Sequence, residues 1–319
     1  MTALLDRFHA RLRLPLIAAP MLAVSGPELV TAACRAGVIG AFPAANCRTI
    51  DELDSWLATL RASLGADAAP FCPNLIMRRQ SMREELDCLV RNRVEMVITS
   101  VGSPAPAIGP LNDIGCLVLA DVATLRHAEK ALEAGAHGLI LLSAGAGGQT
   151  GWVNGLAFVR AVRQRFDCPV VLAGGISDGH ALFAARAAGC DLAYMGTRFL
   201  AATESRGAAA YKQMLVDSQF DDVMTTRAFT GLDTNMLVPS IVAAGLDPRQ
   251  LPADMSTERA AAMYGRGARG PTRWRDIWSA GHTVSGVHAV EPAKTIIART
   301  AEEYRQAKAQ AVSDPFPQR

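Results

Sequence analysis

Eight apolar runs suited to buried parallel strands recur along this chain, at residues 15–19, 38–42, 71–76, 94–99, 116–120, 138–142, 169–173 and 191–195, with helix-like sequence between them. Taking one central residue per run, Ile17 to Ile39, Val97 to Leu119, Leu119 to Leu141 and Val171 to Ala193 are each 22 positions apart, the length of a compact strand-turn-helix unit. A repeated βα module with eight strands predicts an α/β fold of the (β/α)8 TIM-barrel type. A doubly wound open sheet is the competing architecture. It is disfavoured because Ala19-Pro20-Met21 follows the first strand, where a dinucleotide-binding glycine fingerprint would stand.

Helix punctuation fits the same layout. Gly26-Pro27 starts a segment that ends at Gly37, Asp51 and Glu52 open the next, and Thr124 begins one that closes on Gly135. The last unit runs over 208–216, after which the character changes. Residues 218–292 hold few strand-like runs and contain the aromatic pair Trp274 and Trp278, so a smaller, mainly helical cap or substrate domain is expected there. The expected organisation is a barrel over 1–217, the cap over 218–292 and a C-terminal segment, 293–319, whose helix at 293–309 returns to the barrel wall.

A chain of 319 residues, 50% hydrophobic and 19% charged, can bury a full core. Its net charge of +2, with no basic cluster interleaved with aromatics, gives no reason to expect nucleic acid. Arg7, Arg11 and Arg13 are not followed by the apolar stretch and cleavage site of a signal peptide. The uncharged stretch 138–159 is long enough to span a bilayer but is broken by five glycines, Gln149 and Asn154, so it reads as a loop. No membrane partner is expected. Cysteines 34, 47, 72, 88, 116, 168 and 190 are odd in number and lack any CxxC pair or metal-ligand spacing. Buried free thiols in a cytoplasmic protein, with no metal, are expected.

In a barrel, the residues after each strand converge on one mouth. Two glycine breaks, Gly174-Gly175 after Ala173 and Gly196-Thr197 after Met195, end consecutive strands and precede helix-like sequence. Bare amides at such breaks approach an anion closely, and a helix N-terminus adds about 0.3–1 kcal/mol, up to ~2 when partly buried. A phosphate clamp is expected, the alternative being two ordinary turns. The longest loop, 143–151, does not satisfy GxGxxG because Thr150 takes the third glycine position, and it has no Gly-Lys pair, which excludes a nucleotide P-loop. Its glycines would let backbone lie against a planar ring, with Gln149 pointing into the pocket.

AAPM near the start, PNL at 73–75, AGAGGQTG, LAGGISDG and AYMGTRFLAATES, in this order, resemble the nitronate monooxygenase family, formerly called 2-nitropropane dioxygenases. The resemblance implies an FMN-dependent (β/α)8 barrel with a cap. It implies that Ala19, Pro20 and Met21 lie beside the flavin, that Asn74 bonds the ring system or ribityl chain, and that Gly147 and Gly148 flank the isoalloxazine. Ala173, Gly174 and Gly175, with Gly196 and Thr197, would grip the phosphate.

Two departures stand out. In the family's AGGHxG loop a histidine acts as base toward the substrate's α-carbon, and here Gln149 takes its place; an amide cannot accept that proton, and general-base catalysis is worth roughly 10²–10⁴ in rate. After strand five, some relatives carry a lysine near the flavin where this chain has Asp121, and a carboxylate would disfavour a negatively charged reduced flavin. Gln149 is therefore expected to orient a substrate that arrives ionised, such as a nitronate. His282 or His288 would be the source of a replacement base from the cap, whereas His137 and His180 read as scaffold. The expected partners are a small-molecule substrate and molecular oxygen, with a homodimer as the assembly. An NAD(P)H-dependent quinone or enoyl reductase is the alternative, and a flavin-binding protein without enzymatic activity is another. A Schiff-base aldolase fails on inventory, since Lys130, Lys212, Lys294 and Lys308 all lie in helix-like sequence.

Overall fold

A computed structural model describes residues 3–265 and 267–313. Eight parallel strands close into a barrel: β1 (Leu16–Ala18), β2 (Ile39–Pro43), β3 (Phe71–Ile76), β4 (Met96–Ser100), β5 (Leu117–Val122), β6 (Gly138–Leu142), β8 (Val170–Ala173) and β9 (Leu192–Met195). Closure comes from β9 pairing back onto β1, with Ile17 opposite Tyr194. The expected strands thus form the barrel, each within two or three residues of its apolar run. The short strand β7 (Gly148–Gln149) leaves the barrel mouth and joins β10 (Val223–Thr226) and β11 (Thr234–Leu237) in a small sheet of order β10-β11-β7. A hairpin therefore accompanies the helices Val238–Ala243 and Thr257–Tyr264 in the region after the barrel.

The helices begin where side chains satisfy their first amides. Thr49, Thr124, Asn154 and Asp178 each accept a hydrogen bond from the amide three residues on, at the starts of Ile50–Ser63, Leu125–Glu133, Gly155–Arg163 and Gly179–Ala188. Inside the barrel, alternate residues point to the axis. Ile17, Ile39, Met96, Ile98, Leu117, Leu119, Ile140, Val171 and Leu192 fill the lower layers as one apolar cluster. Helix Ala3–His9 closes the N-terminal end of the strands by inserting Leu5 and Phe8 into that cluster. Burying the Phe8 ring contributes about 2–3 kcal/mol. Arg7 donates to the carbonyls of Gly115 and Glu95 (2.9 and 3.1 Å) and fixes the plug. All seven cysteines are buried and unpaired.

The final helix runs over Ala293–Val312 and packs along Gly179–Ala188; residues 314–319 lie outside the described residues. The two backbones touch at Gly179, where a Cβ would stand 2.1 Å from the Tyr304 amide nitrogen and 2.4 Å from the Thr300 carbonyl oxygen. A Gly179→Ala change is therefore expected to force the helices apart and cost roughly 1–3 kcal/mol or more, read as a lower urea midpoint at constant m-value.

Candidate active site

The C-terminal ends of the barrel strands open onto one cavity of about 260 Å³. Its lining includes Ala19, Pro20, Met21, Asn74, Asp121, Gly147, Gly148, Gln149, Ala173, Gly174, Gly175, Gly196 and Thr197, so the residues singled out in the sequence converge on a single space. The first loop is held from behind. Asn46 donates through Nδ2 to the carbonyls of Met21 and Ser25 (3.0 and 2.8 Å) and accepts from the Ala23 amide (2.9 Å), while the Met21 amide donates to Ser25 Oγ (3.0 Å).

Loop 143–151 is anchored and does not float. Gly148 and Gln149 pair with Asn235 and Thr234 in the small sheet, and Asn235 Nδ2 donates to the Ala146 carbonyl (2.7 Å). The His282 amide donates to the Gly145 carbonyl (3.0 Å), and the Gly281 amide donates to Thr197 Oγ1 (2.9 Å). Gln149 stays exposed, at the rim of the cavity. Residues beyond the barrel strands contribute Trp274, Ser279, Ala280 and Thr283 to the lining, and Tyr211 stacks on Trp278 with ring centroids 4.9 Å apart. Asn46 belongs to the residues expected at the mouth after the second strand and Trp274 to the aromatic pair noted in the sequence, whereas Tyr211, Ser279, Ala280 and Thr283 were missed, because nothing local marks residues that reach the mouth from far along the chain.

At the expected phosphate end, Gly174 and Gly175 both take positive φ (111° and 80°), a conformation that favours glycine. A Cβ on Gly174 would lie 2.5 Å from Ser143 Oγ, whereas one on Gly175 would meet nothing within 4 Å. Among the described residues, the amides of Gly174, Gly175 and Thr197 donate to no protein acceptor. The helix contribution differs from expectation. Helix Gly179–Ala188 has its first amides occupied by carboxylates, Gly179 donating to Glu303 (2.9 Å) and Ala181 to Asp178 (2.8 Å). The helix after Gly196 is only the four residues Thr197–Leu200. The donors left open here are loop amides, with little from a helix end. Arg198 does not supply a charge either, because its guanidinium pairs with Glu291 (3.1 Å).

The floor is the uppermost inward layer of the barrel, where Asn74, Ser100, Asp121 and Tyr194 replace the aliphatic residues below. Asn74 and Ser100 satisfy one another, Asn74 Nδ2 donating to Ser100 Oγ at 3.0 Å. Asp121 Oδ1 and the Tyr194 hydroxyl are buried with no partner. Burial pushes the Asp121 carboxyl up to about 7, and burial first, with Asp121 and Cys72 nearby, pushes the Tyr194 phenol well above its ordinary value. The carboxylate expected at 121 is thus an acid held near about 7 by burial.

Among the described residues, the only titratable groups lining the cavity are Asp121, Tyr194 and Tyr211. His282 and His288 are exposed and absent from the lining. His137 accepts the Val118 amide proton on Nδ1 (2.9 Å), near the N-terminal end of β5, and His180 is exposed on a helix of the barrel wall. All four lysines sit in helices; Lys212 is spent on the carbonyls of Ala202 and Ser205 (2.7 and 2.8 Å). No group of three or more metal-ligating residues is assembled among the described residues, and no described helix is long and apolar enough to cross a membrane.

A sequence profile described as nitronate monooxygenase matches residues 73–303. The chain is 29% identical over 228 residues to (3aS,4S,5R,7aS)-5-hydroxy-7a-methyl-1-oxo-octahydro-1H-indene-4-carboxyl-CoA dehydrogenase of Rhodococcus jostii, covering 72% of this chain but 64% of that protein. It is 28% identical over 294 residues to a nitronate monooxygenase of Pseudomonas aeruginosa, covering 76% and 84%. Among solved structures, nitroalkane oxidase from Streptomyces ansochromogenes superposes with a TM-score of 0.80 at 28% identity, covering 97% of this chain and 100% of that one. FabK from Thermotoga maritima superposes at 0.82 with 24% identity, covering 98% and 99%, a likeness of fold alone. With the barrel, the glycine-lined mouth and a profile match over most of its length, this chain belongs to the nitronate monooxygenase family.

Proposed function

We propose that this protein is an FMN-dependent enzyme that oxidises alkyl nitronates with molecular oxygen. The observation that carries the reading is the makeup of the cavity: free loop amides at one end, a glycine-flanked slot, and an uncharged amide, Gln149, where a base would be needed for a neutral substrate. FMN, when bound, supplies a two-electron acceptor that oxygen reoxidises. The amides of Gly174, Gly175 and Thr197 would hold its phosphate, the backbone of Ala19, Pro20 and Met21 and the flats of Gly147 and Gly148 would bracket the ring, and Asn74 would reach it from the floor beside Ala173 and Gly196. Gln149 would donate its amide protons to the substrate's nitro oxygens and hold the α-carbon toward the ring. No proton has to be removed, since a nitronate is already ionised. Segment 218–292 takes the part of substrate cap, supported by Trp274, Ser279, Ala280 and Thr283 in the lining. Seven free thiols support a cytoplasmic setting.

The missing base equally favours a second reading, an NAD(P)H-dependent quinone or enoyl reductase, because hydride from a nicotinamide needs no carbon deprotonation. Purified protein is expected to be yellow, with one FMN per chain, and to bleach under anaerobic conditions with an alkyl nitronate but not with NADH or NADPH. Bleaching by a nicotinamide instead would establish the reductase. A colourless protein that takes up no added FMN would overturn both.

A further inference from the structure

We propose that Asp121 engages the flavin as a neutral carboxylic acid, donating its proton to an acceptor atom of the ring, with the Tyr194 hydroxyl as a second donor, so that binding takes up a proton wherever the free carboxyl is ionised. The inference rests on the flavin reading above and adds the protonation state that the site selects.

Geometry carries it. Asp121 and Tyr194 project from β5 and β9 into the same layer, beneath the cavity that both line. Each buries a polar atom without a partner, in a layer whose other polar pair, Asn74 and Ser100, is already matched. Burying an unsatisfied polar group costs about 1–3 kcal/mol, and such atoms facing a cavity are satisfied by what fills it. An isoalloxazine ring offers mostly acceptors, two carbonyl oxygens and two unprotonated ring nitrogens, so it matches donors and not a carboxylate. The titratable groups that face Asp121 are the Tyr194 phenol from β9 and the Cys72 thiol from β3, both neutral, and among the described residues no Lys, Arg or His approaches it. A carboxylate there would be a buried charge without compensation.

The sign follows from linkage. Burial pushes the Asp121 carboxyl up to about 7, and a hydrogen bond that uses its proton raises that value further in the complex. The complex therefore holds more protons than the free protein above pH 7, and affinity must fall as pH rises.

Riboflavin is the probe of choice, because it lacks the phosphate whose own titration lies near about 6. Its dissociation constant, measured by flavin fluorescence quenching from about pH 6 to 9, is expected to be flat below pH 7 and to weaken by up to about tenfold per unit above it. Asp121→Asn keeps an N–H donor with no proton to lose, so its affinity is expected to stay within about twofold across the range. Tyr194→Phe is expected to weaken binding several-fold while keeping the wild-type slope. Should Asp121→Asn not fold, the infrared carboxyl band of the wild-type protein serves instead: above pH 7 it is expected to appear on adding riboflavin. A wild-type affinity that does not vary with pH, a slope that survives in Asp121→Asn, or no such band would overturn the proposal. Failure of riboflavin and FMN to bind at any pH would overturn the flavin reading itself, a distinct result.

Discussion

A Gly175→Leu variant is expected to purify folded and to bind FMN at least 100-fold more weakly than wild type. The position separates cofactor binding from folding better than its neighbour does. A side chain on Gly174 would run into Ser143 Oγ, whereas one on Gly175 enters open space. The fold then bears only the strain of a non-glycine residue at φ 80°, about 1–2 kcal/mol out of a typical 5–15 kcal/mol of stability. The anion bears more. Two amide contacts to a charged group, worth about 1.5–3 kcal/mol each, are displaced, which at 1.4 kcal/mol per decade is a factor of about 100 or more. FMN content by absorbance, alongside an unchanged far-ultraviolet circular dichroism spectrum, is the measurement; full FMN content in the variant would remove the phosphate assignment.

Gln149→His is expected to raise kcat/KM on neutral nitroalkanes by about 10²–10⁴ while changing that on preformed nitronates by only a few-fold. Residue 149 is pinned by its pairing with Thr234, by the Thr150 amide donating to the Asp233 carbonyl (3.1 Å) and by Thr150 Oγ1 donating to the Ser143 carbonyl (3.0 Å). An imidazole introduced there inherits a fixed place at the rim. Because it must be neutral to accept a proton, the gained activity should fall as pH drops through the histidine range near about 6.5. An equal gain on both substrates would contradict the loss of a base as the meaning of Gln149.

The eight strands were legible because parallel strands covered on both faces are continuous apolar runs, and the mouth residues followed from their ends. The phase within each run was the harder signal. In Leu192–Met195 every residue reads as apolar or aromatic, yet the twofold alternation places Leu192 and Tyr194 on the axis and makes Tyr194 part of the floor. The same alternation carries Leu117, Leu119 and Asp121 inward, which turns a residue expected as a charged neighbour of the flavin into an acid with one buried, unpartnered oxygen. Long-range partners left no trace in local sequence. Glu303, which occupies the amide of Gly179, is 124 positions away, so the apparent anion-binding helix end is already neutralised by a residue that no motif around 174–179 announces. The plug formed by Leu5 and Phe8 was missed for another reason: a single seven-residue helix carries too few periodic positions to stand out.

The register of β7 against β11 has a consequence for how chemistry changes on this scaffold. Since a strand turns successive side chains to opposite sides, inserting or deleting one residue before Gln149 would swing that side chain away from the cavity, whereas exchanging it in place leaves every neighbouring bond intact. New reactivity is thus reached by rewriting one letter on a fixed ribbon, and lengthening the ribbon forfeits it.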